Sequence, residues 1–255
     1  MQLGLMLCSV TSVGWRYEGR RSLDDTGEHE GQEKEEMTTH YDVLIATPAF
    51  SFVPEYVTSL VETTKVLNEK GISYHLLHKS GSYIPSTREM VASDSFGHDW
   101  KTNEVGGGKY TYRKVFWIDS DIEWTPEQFL KIYESEHEVI SGVYQTHPNG
   151  TVAVNFPDKD GRPQKTNKKD LLLDWDPIEV GGVGFGFVAM KQGVFEKIPR
   201  PWFKIRHILW EEIGFEVNMG EDYAWCENAK DAGFKIMLDP QVKVLHHKGA
   251  VLRVE

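Results

Sequence analysis

The sequence has little cysteine, a deficit of basic residues and no long apolar run. Its two cysteines, Cys8 and Cys226, lie far apart in unlike contexts, which excludes a disulfide framework and a cysteine-based zinc site and favours a reducing, cytoplasmic compartment. The 28 Lys and Arg residues are outnumbered by 39 Asp and Glu residues, which argues against a protein that wraps a nucleic-acid backbone. No stretch of about 18 apolar residues occurs, so we expect no membrane span.

The first 38 residues differ in composition from the rest of the chain. Residues 24–36 are rich in Asp, Glu, Gly and Gln and contain almost nothing apolar. Such a segment cannot bury enough surface to offset the entropy lost on ordering it. We predict that residues 1–38 form a disordered leader and that residues 39–255 form a single domain. The alternative for the leader is a regulatory or partner-binding tail.

The remainder of the chain has the pattern of an α/β domain. Its first half alternates short apolar runs with segments of helical periodicity, and its second half is richer in strands. The patterns predict strands over 41–47, 72–77, 114–118, 138–144, 150–156, 234–238 and 242–245, helices over 54–70, 85–95 and 221–232, a helix opened by Thr125-Pro126-Glu127, and a surface loop over 157–170. We therefore predict one mixed α/β sheet flanked by helices, Rossmann-like and nucleotide-binding in its N-terminal half.

The strongest local pattern for function is Asp119-Ser120-Asp121, which directly follows the predicted strand 114–118. In open α/β sheets, ligands bind beyond the carboxyl ends of the strands, and residues 119 and 121 of an extended segment project to the same side. Two carboxylates on one face repel each other unless a cation lies between them, and hard oxygen ligands suit Mg²⁺ or Mn²⁺. The alternative is a strand end followed by solvated turn carboxylates.

Three further patterns could belong to a functional site. Glu221-Asp222 opens a predicted helix, where the pair either stabilises the helix dipole or supplies a carboxylate that accepts a proton from an attacking hydroxyl. His246 and His247 end a predicted strand, either as Mn²⁺ ligands or as ordinary surface residues. The glycine series over 181–186 mimics a dinucleotide fingerprint, but no suitable helix follows it. We interpret it as backbone closely approached by a ligand or another strand.

In their order along the chain, these motifs resemble those of glycosyltransferases with the A-type fold. The resemblance is closest to the small single-domain glycosyltransferases of phages, large viruses and bacteria, in which a strand ending in "DxD" is followed by a "GxGF" strand, a "GEDYxFC" segment and a closing "H-x-x-G". The counterparts here are Asp119-Ser120-Asp121, Gly184 to Phe187, Gly220 to Cys226 and His246 to Gly249, preceded by Ser82 to Arg88, which is similar to the family's "S-x-I-x-x-x-R" stretch. The resemblance covers about residues 42–250.

The resemblance implies transfer of a sugar from a nucleoside-diphosphate-sugar donor to a glycan or other hydroxyl acceptor, with Mn²⁺ or Mg²⁺ as cofactor. It implies that Asp222, seconded by Glu221, is the general base if the configuration inverts. The residues implied to hold the donor are Thr47, Pro48, Ala49, Arg88, Asp119, Ser120 and Gly186, and those implied to hold the metal are Asp119, Asp121 and His246. Candidates for stacking on the acceptor sugar, with core packing as the alternative, are Trp175, Trp202 and Trp210.

Other classes of function remain open at this point. A sugar-phosphate nucleotidyltransferase also uses a carboxylate-held metal, but it usually has a glycine- and lysine-rich loop after its first strand, and Thr47-Pro48-Ala49-Phe50 has neither. A phosphatase of the haloacid-dehalogenase type normally opens its domain with the Asp-x-Asp strand, whereas here a long ordered segment precedes that strand. A non-catalytic nucleotide-sugar or glycan-binding module is the alternative outside the enzymes.

Overall fold

The structure is a computed structural model. It describes residues 38–96, 102–157, 163–171, 176–210, 214–248 and 251–252. The predicted leader over 1–38 lies outside these ranges apart from Thr38, so its disorder stays a prediction, as does the single domain over 39–255.

The helices begin where local sequence favours a start. The first turn of α1, α2 and α3 contains a proline, whose missing N–H needs no acceptor there. Thr125 caps α3, since its hydroxyl accepts from the Gln128 N–H while the Gln128 amide oxygen accepts from the Thr125 N–H at 2.9 Å. The helices are α1 (Pro54–Glu69), α2 (Ile84–Ser93), α3 (Pro126–Glu134), α4 (Val194–Lys197) and α5 (Glu221–Asp231). Within the described ranges, none is long and apolar enough to cross a membrane.

Seven of the strands in the described residues belong to one large sheet, and the others form smaller sheets. They are β1 (Thr39–Pro48), β2 (Tyr74–Lys79), β3 (Tyr110–Ile118), β4 (Ile122–Glu123), β5 (Val139–Val143), β6 (Thr151–Pro157), β7 (Pro163–Asn167), β8 (Ile178–Glu179), β9 (Gly182–Val183), β10 (Phe187–Lys191), β11 (Arg206–Trp210), β12 (Phe215–Met219), β13 (Ile236–Lys243), β14 (Leu245–His247) and β15 (Val251–Leu252). The central sheet has seven strands in the order β2-β1-β3-β10-β5-β13-β8. The predicted class, a mixed α/β sheet flanked by helices, is confirmed.

The connectivity of this sheet creates a crevice at one edge. β1 pairs in parallel with both β2 and β3, and β5 pairs in parallel with β13, whereas β10 and β8 run antiparallel to their neighbours. The chain passes from β1 to β2 on one side and then crosses to β3 on the other side of β1. The two connections therefore run in opposite directions across the sheet. Such a reversal opens a crevice at the carboxyl ends of β1 and β3, where ligands bind in such sheets.

The core lies in two layers, one on each face of the sheet. Alternate residues of β1 face opposite ways, so Val43 and Ile45 pack with α1 and α3 while Leu44 and Ala46 pack with α2, α4 and α5. β3 is divided in the same way by its alternating side chains. Both faces are covered by helices, which is why these strands are near-continuous apolar runs.

Two sequence predictions about strands are wrong, and one strand pair was not predicted. The segment 157–170, predicted as a loop, contains β7, which pairs with β6 in a hairpin. The strands predicted over 234–238 and 242–245 are instead β13, which continues through Pro240, followed by β14. The hairpin of β11 and β12 was not predicted at all. β7 is almost entirely polar, and hairpin pairing rather than an alternating apolar pattern holds it in the strand conformation.

A buried lysine fastens β3 to the end of α3. The Lys114 side chain is fully buried, and its ammonium donates to the carbonyl oxygens of Ile132, at 2.8 Å, and Ser135. These carbonyls belong to the last turn of α3, where the helix itself supplies no donors. Burial lowers the pKa of Lys114 to about 7, whereas the negative end of the helix dipole favours its charged form.

We expect Lys114→Met to lower the free energy of unfolding by about 1–3 kcal/mol, because the buried carbonyl oxygens lose their donor. Urea unfolding followed by tryptophan fluorescence measures this. Lys65→Met is the matched control, since the Lys65 side chain is 77% exposed and its replacement changes stability by less than about 0.5 kcal/mol. Equal stabilities of the two variants would show that Lys114 does not cap α3.

Candidate active site at the carboxyl edge of the sheet

A cavity opens at the carboxyl ends of β1 and β3, where the crevice is expected. Its volume is about 450 Å³, and its lining includes three of the predicted donor-binding residues, Pro48, Ala49 and Ser120. Thr47, a fourth, is buried just before them, and its hydroxyl is hydrogen-bonded to the Tyr56 hydroxyl of α1 at 2.6 Å. Thr47 therefore anchors the cavity wall through its side chain.

The segment after β3 turns sharply, so that its acidic side chains emerge beside this cavity. The Asp119 N–H donates to the Gly186 carbonyl at 3.1 Å, and the Asp119 carbonyl accepts from the Ile122 N–H at 3.1 Å. After the turn, β4 pairs with β14, which brings Asp121 next to His246. The side chains of Asp119 and Asp121 keep 30% and 32% of their surface exposed, so both are partly accessible to solvent.

Arg88 joins elements that are distant in the sequence. Its guanidinium is almost fully buried, donating from Nη2 to Asp119 at 3.1 Å and from Nε to Glu221 at 3.2 Å. It also lies over the Phe185 ring, 5.3 Å from the centroid. The third nitrogen, Nη1, is buried and has no hydrogen-bond acceptor among the described residues. The residue from the "S-x-I-x-x-x-R" stretch thus lies with the first aspartate of Asp-Ser-Asp and the acidic pair of α5.

The two aspartates of the motif have opposite pKa shifts. Burial raises the pKa of Asp119, and the charge of Asp121 adds to this effect, although Arg88 opposes it. Burial also acts to raise the pKa of Asp121, but the hydrogen bond and charge of His246 outweigh it and hold that pKa below its usual range. Asp121 is therefore the carboxylate that stays ionised most readily.

The two histidines of β14 have different partners. The buried His246 ring is hydrogen-bonded to Asp121 Oδ2 through Nε2, at 3.1 Å, and to the Gln145 carbonyl through Nδ1, at 2.9 Å. The His247 ring points the other way and contacts Glu123 at 2.7 Å. This arrangement separates their roles, because the alternation of the strand places His246 alone on the side of Asp121.

The acidic pair that opens α5 is divided between two environments. Glu221 is committed to the Arg88 ion pair. Asp222 is partly buried, and one carboxylate oxygen accepts from the Tyr223 N–H at 2.8 Å. Burial, together with the negative charge of Glu221, raises the pKa of Asp222 to about 6 despite the opposing charge of Arg88. A carboxylate with such a pKa is ionised at pH 7 and is a stronger base than an ordinary aspartate.

The ring of Tyr144 closely approaches Gly186. Gly186 was predicted from the sequence as a site residue, whereas Tyr144 was not. A Cβ at Gly186 would lie 2.6 Å from Tyr144 Cζ, and the Gly186 N–H donates to the Tyr144 hydroxyl at 2.9 Å. The Tyr144 ring also packs edge-on against His246. Tyr144 lies directly after β5, so its position at a carboxyl strand end is the feature that could have identified it.

Of the three tryptophans suggested to stack on the acceptor sugar, the structure describes the side chain of Trp202. Trp202 is fully buried, with its indole N–H donating to the carbonyls of Phe195 and Ile198, so core packing accounts for it. Trp175 lies outside the described residues, as does the side chain of Trp210. Composition around an aromatic residue does not distinguish a core position from a surface position.

The side chains predicted to hold a metal lie close together but are paired with one another or with Arg88. In the part of the chain that the structure describes, no group of three or more His, Cys, Asp or Glu side chains is arranged around a common ion position. Asp119 faces Arg88, and Asp121 faces His246. The chemistry of the donors fits the predicted cation, since two carboxylates and an imidazole suit Mn²⁺.

We expect Arg88→Met to lower the free energy of unfolding by about 2–4 kcal/mol at pH 7, because Asp119 and Glu221 lose their buried counter-charge. Burial already raises the pKa of Asp119 against the opposing charge of Arg88, so without the guanidinium this pKa rises further above its unfolded value. The stability lost at pH 7 is therefore partly regained near pH 4.5, where Asp119 takes up a proton.

Urea unfolding at both pH values measures this effect. Arg113→Met is the matched control, since the Arg113–Glu136 pair is well exposed and its loss costs less than about 1 kcal/mol at either pH. Adding Glu221→Gln to Arg88→Met is expected to restore stability. No restoration in the double variant, or a loss that is independent of pH, contradicts the ion-pair explanation.

Comparisons with known proteins give matches among solved structures only. No family model and no curated protein matches the chain. One similar structure is protein A197 from STIV, with 20% identity over 84% of this chain and 94% of that chain and a TM-score of 0.48. Another is the catalytic domain of Drosophila beta1,4-galactosyltransferase 7 in complex with xylobiose, with 14% identity, 80% and 66% coverage and a TM-score of 0.42. A mutant of that Drosophila enzyme in complex with manganese, UDP-Gal and xylobiose has 14% identity, the same coverage and a TM-score of 0.40. Identities and TM-scores this low do not carry an activity from one protein to another.

Proposed function

We propose that this chain is a glycosyltransferase of the A-type fold that moves a sugar from a nucleoside-diphosphate donor to a hydroxyl acceptor, using a divalent cation. The observation that supports it most is the meeting of Arg88, Asp119, Asp121, Glu221 and His246 at the switch point of the sheet. These residues come from separate motifs of the resemblance. Side-chain contacts join Arg88 to Asp119 and Glu221 and, separately, Asp121 to His246, and Ser120, between the two aspartates, lines a cavity large enough for a nucleotide. The cytoplasmic location inferred from the cysteine content stays part of this proposal.

In this proposal the 450 Å³ cavity holds the nucleotide of the donor. Pro48, Ala49 and Ser120 form its wall, and the backbone after β1 is free to approach the base and ribose. Arg88 is hydrogen-bonded to Asp119. Its Nη1, which has no acceptor among the described residues, is the proposed donor to a diphosphate oxygen. Gly186 positions Asp119 through its carbonyl and contributes backbone only.

Asp119, Asp121 and His246 would hold the Mn²⁺ or Mg²⁺. When bound, the cation would supply positive charge against the diphosphate that leaves the sugar. The chain's own part is to keep Asp121 ionised through His246 and to fix the His246 ring through the Gln145 carbonyl. A carbonyl such as that of Gln145, bonded to the ring nitrogen that does not bind the metal, orients a metal-binding imidazole and sets which nitrogen carries the proton.

Asp222 is the general base of the proposed reaction if the configuration inverts. The acceptor hydroxyl gives its proton to the Asp222 carboxylate as its oxygen forms a bond to the anomeric carbon of the sugar. The bond between that carbon and the diphosphate oxygen breaks, and the nucleoside diphosphate leaves with the electron pair. Glu221 holds Arg88 in this scheme, which leaves Asp222 as the basic carboxylate of the pair.

A panel of nucleotide sugars tests the proposal, with melting temperature measured with and without Mn²⁺ and release of nucleoside diphosphate measured for every donor that binds. We expect Mn²⁺-dependent stabilisation by at least one nucleoside-diphosphate sugar, and release of the diphosphate. A nucleotidyltransferase would instead form pyrophosphate from a nucleoside triphosphate and a sugar phosphate. A binding module would show stabilisation without turnover. Absence of binding across the panel contradicts the proposal.

We expect Asp121→Ala to abolish Mn²⁺-dependent donor binding while lowering stability by less than about 1 kcal/mol, because its carboxylate lies at a partly exposed strand end. His246→Ala is expected to weaken Mn²⁺ binding more than His247→Ala does, since His246 alone faces Asp121. Isothermal titration with Mn²⁺ in the presence of the donor measures both effects. Equal, small effects of the two histidine variants would make the choice of His246 wrong.

We expect Asp222→Asn to reduce turnover by about 10²–10⁴-fold while donor affinity and melting temperature change little, because the amide keeps the size of the side chain and can accept from the Tyr223 N–H but cannot accept the proton. Glu221→Gln is expected to reduce turnover less. In the wild type, kcat/KM should fall as pH drops through about 6, where Asp222 takes up a proton. Burial and the charges of Glu221 and Asp119 raise the pKa of Asp222 to this value, and the charge of Arg88 opposes them.

Rates from pH 5 to 8 for wild type and both variants decide the assignment. Normal turnover of Asp222→Asn would falsify the general-base role and favour a retaining mechanism or another base.

A further inference from the structure

A second cavity lies on the other side of the segment that begins α2. Its volume is about 570 Å³, and it is bounded by the start of α2, the segment 201–205 and the hairpin of β11 and β12. Gly81, Ser82 and Ile84 line the first cavity, whereas Tyr83, Pro85 and Ser86 line the second. Residues 81–86 therefore form a partition with one cavity on each side.

The walls of this second cavity are fixed by buried polar contacts. The Glu89 side chain is buried and accepts from the Phe203 N–H at 2.6 Å, which ties α2 to the segment 201–205. The Arg88 pair with Glu221 ties α2 to the first turn of α5. The opposite wall includes Asn218 of β12, a few residues before Asp222. Two lining residues, Glu89 and Asn218, thus stand within four positions of the proposed diphosphate-binding arginine and the proposed base, respectively.

The lining combines apolar faces with hydrogen-bonding groups and one cationic side chain, Lys204. Tyr83 is 58% exposed, so much of its side chain is open to solvent at the cavity. Pro85 and Ile205 add aliphatic surface, and His207 and Asn218 add hydrogen-bonding groups. A sugar ring has the matching chemistry, since its C–H face packs on an aromatic ring while its hydroxyls bond to side chains at the rim.

We propose that this second cavity is the acceptor site and that it takes an oligosaccharide, with Tyr83 stacking on one of its rings. The inference rests on the proposed function for its role in transfer. A glycan seated there extends a hydroxyl past the edge of the partition towards α5, where Asp222 takes the proton and the anomeric carbon of the donor is within reach. Among the described lining residues, the carboxylate of Glu89 is committed to Phe203 and Lys204 is itself a cation, so the cavity suits a ring recognised by stacking better than a cation.

Glycan binding by the full chain, without donor, tests this inference independently of turnover. The probes are cellobiose, lactose, maltose and xylobiose with their p-nitrophenyl glycosides, observed by saturation-transfer NMR and titrated for affinity. We expect at least one to bind wild type, Tyr83→Ala to weaken its binding about tenfold, and Tyr83→Phe to keep it, because the ring supplies the contact. Phe96→Ala is the control, since Phe96 is an exposed aromatic residue that does not line the cavity.

In the transfer assay, Tyr83→Ala should raise KM for the glycan about tenfold while KM for the donor changes less than threefold. Tyr83-dependent glycan binding in a chain that turns over no donor supports the site and contradicts the enzyme. Donor turnover with glycan binding insensitive to Tyr83, or with none of the probes bound, overturns the acceptor site and leaves the proposed function standing. Equal losses in Tyr83→Ala and Phe96→Ala also overturn it.

Discussion

The buried guanidinium of Arg88 is the contact on which the arrangement of the site depends. It holds Asp119, which follows β3, and Glu221, which opens α5, although these residues are separated from it by 31 and 133 positions. Burying an unpaired charge is costly, so the guanidinium and the carboxylates need one another in this environment. Because the groups come from different elements, the same contact fixes α2 and α5 against the end of β3.

The Arg88 contact also decides how the acidic residues differ from one another. Four carboxylates, those of Asp119, Asp121, Glu221 and Asp222, act electrostatically in one region around a single arginine and His246. Glu221 is paired with the arginine and Asp121 with the histidine, whereas Asp222 is left with burial and a like-charged neighbour. Carboxylates with identical chemistry thereby acquire distinct acidities, and this is the physical basis for separating a cation-binding group from a proton acceptor.

Helix α2 connects the two cavities to this electrostatic centre. Residues 81–86, which lead into its first turn, form the partition between them, Arg88 reaches inward to the acidic groups, and Glu89 fixes the segment 201–205. In a transfer between two substrates, the reacting atoms must be held together while each substrate enters separately. A rigid helix that carries a wall of both cavities meets this requirement without any large movement of the sheet.

The sequence by itself determined the elements whose physical causes are local. The apolar runs of β1 and β3, the capping of α3 by Thr125 and the carboxylates after β3 all follow from neighbouring residues, and the structure confirms their positions. Only the tertiary structure decided which of His246 and His247 faces Asp121, that Glu221 is paired with Arg88, that Tyr144 packs on Gly186 and that Trp202 belongs to the core. It also decided that the polar segment of β7 is a strand. These outcomes depend on contacts between residues far apart in the chain, and no local pattern of side chains specifies such contacts.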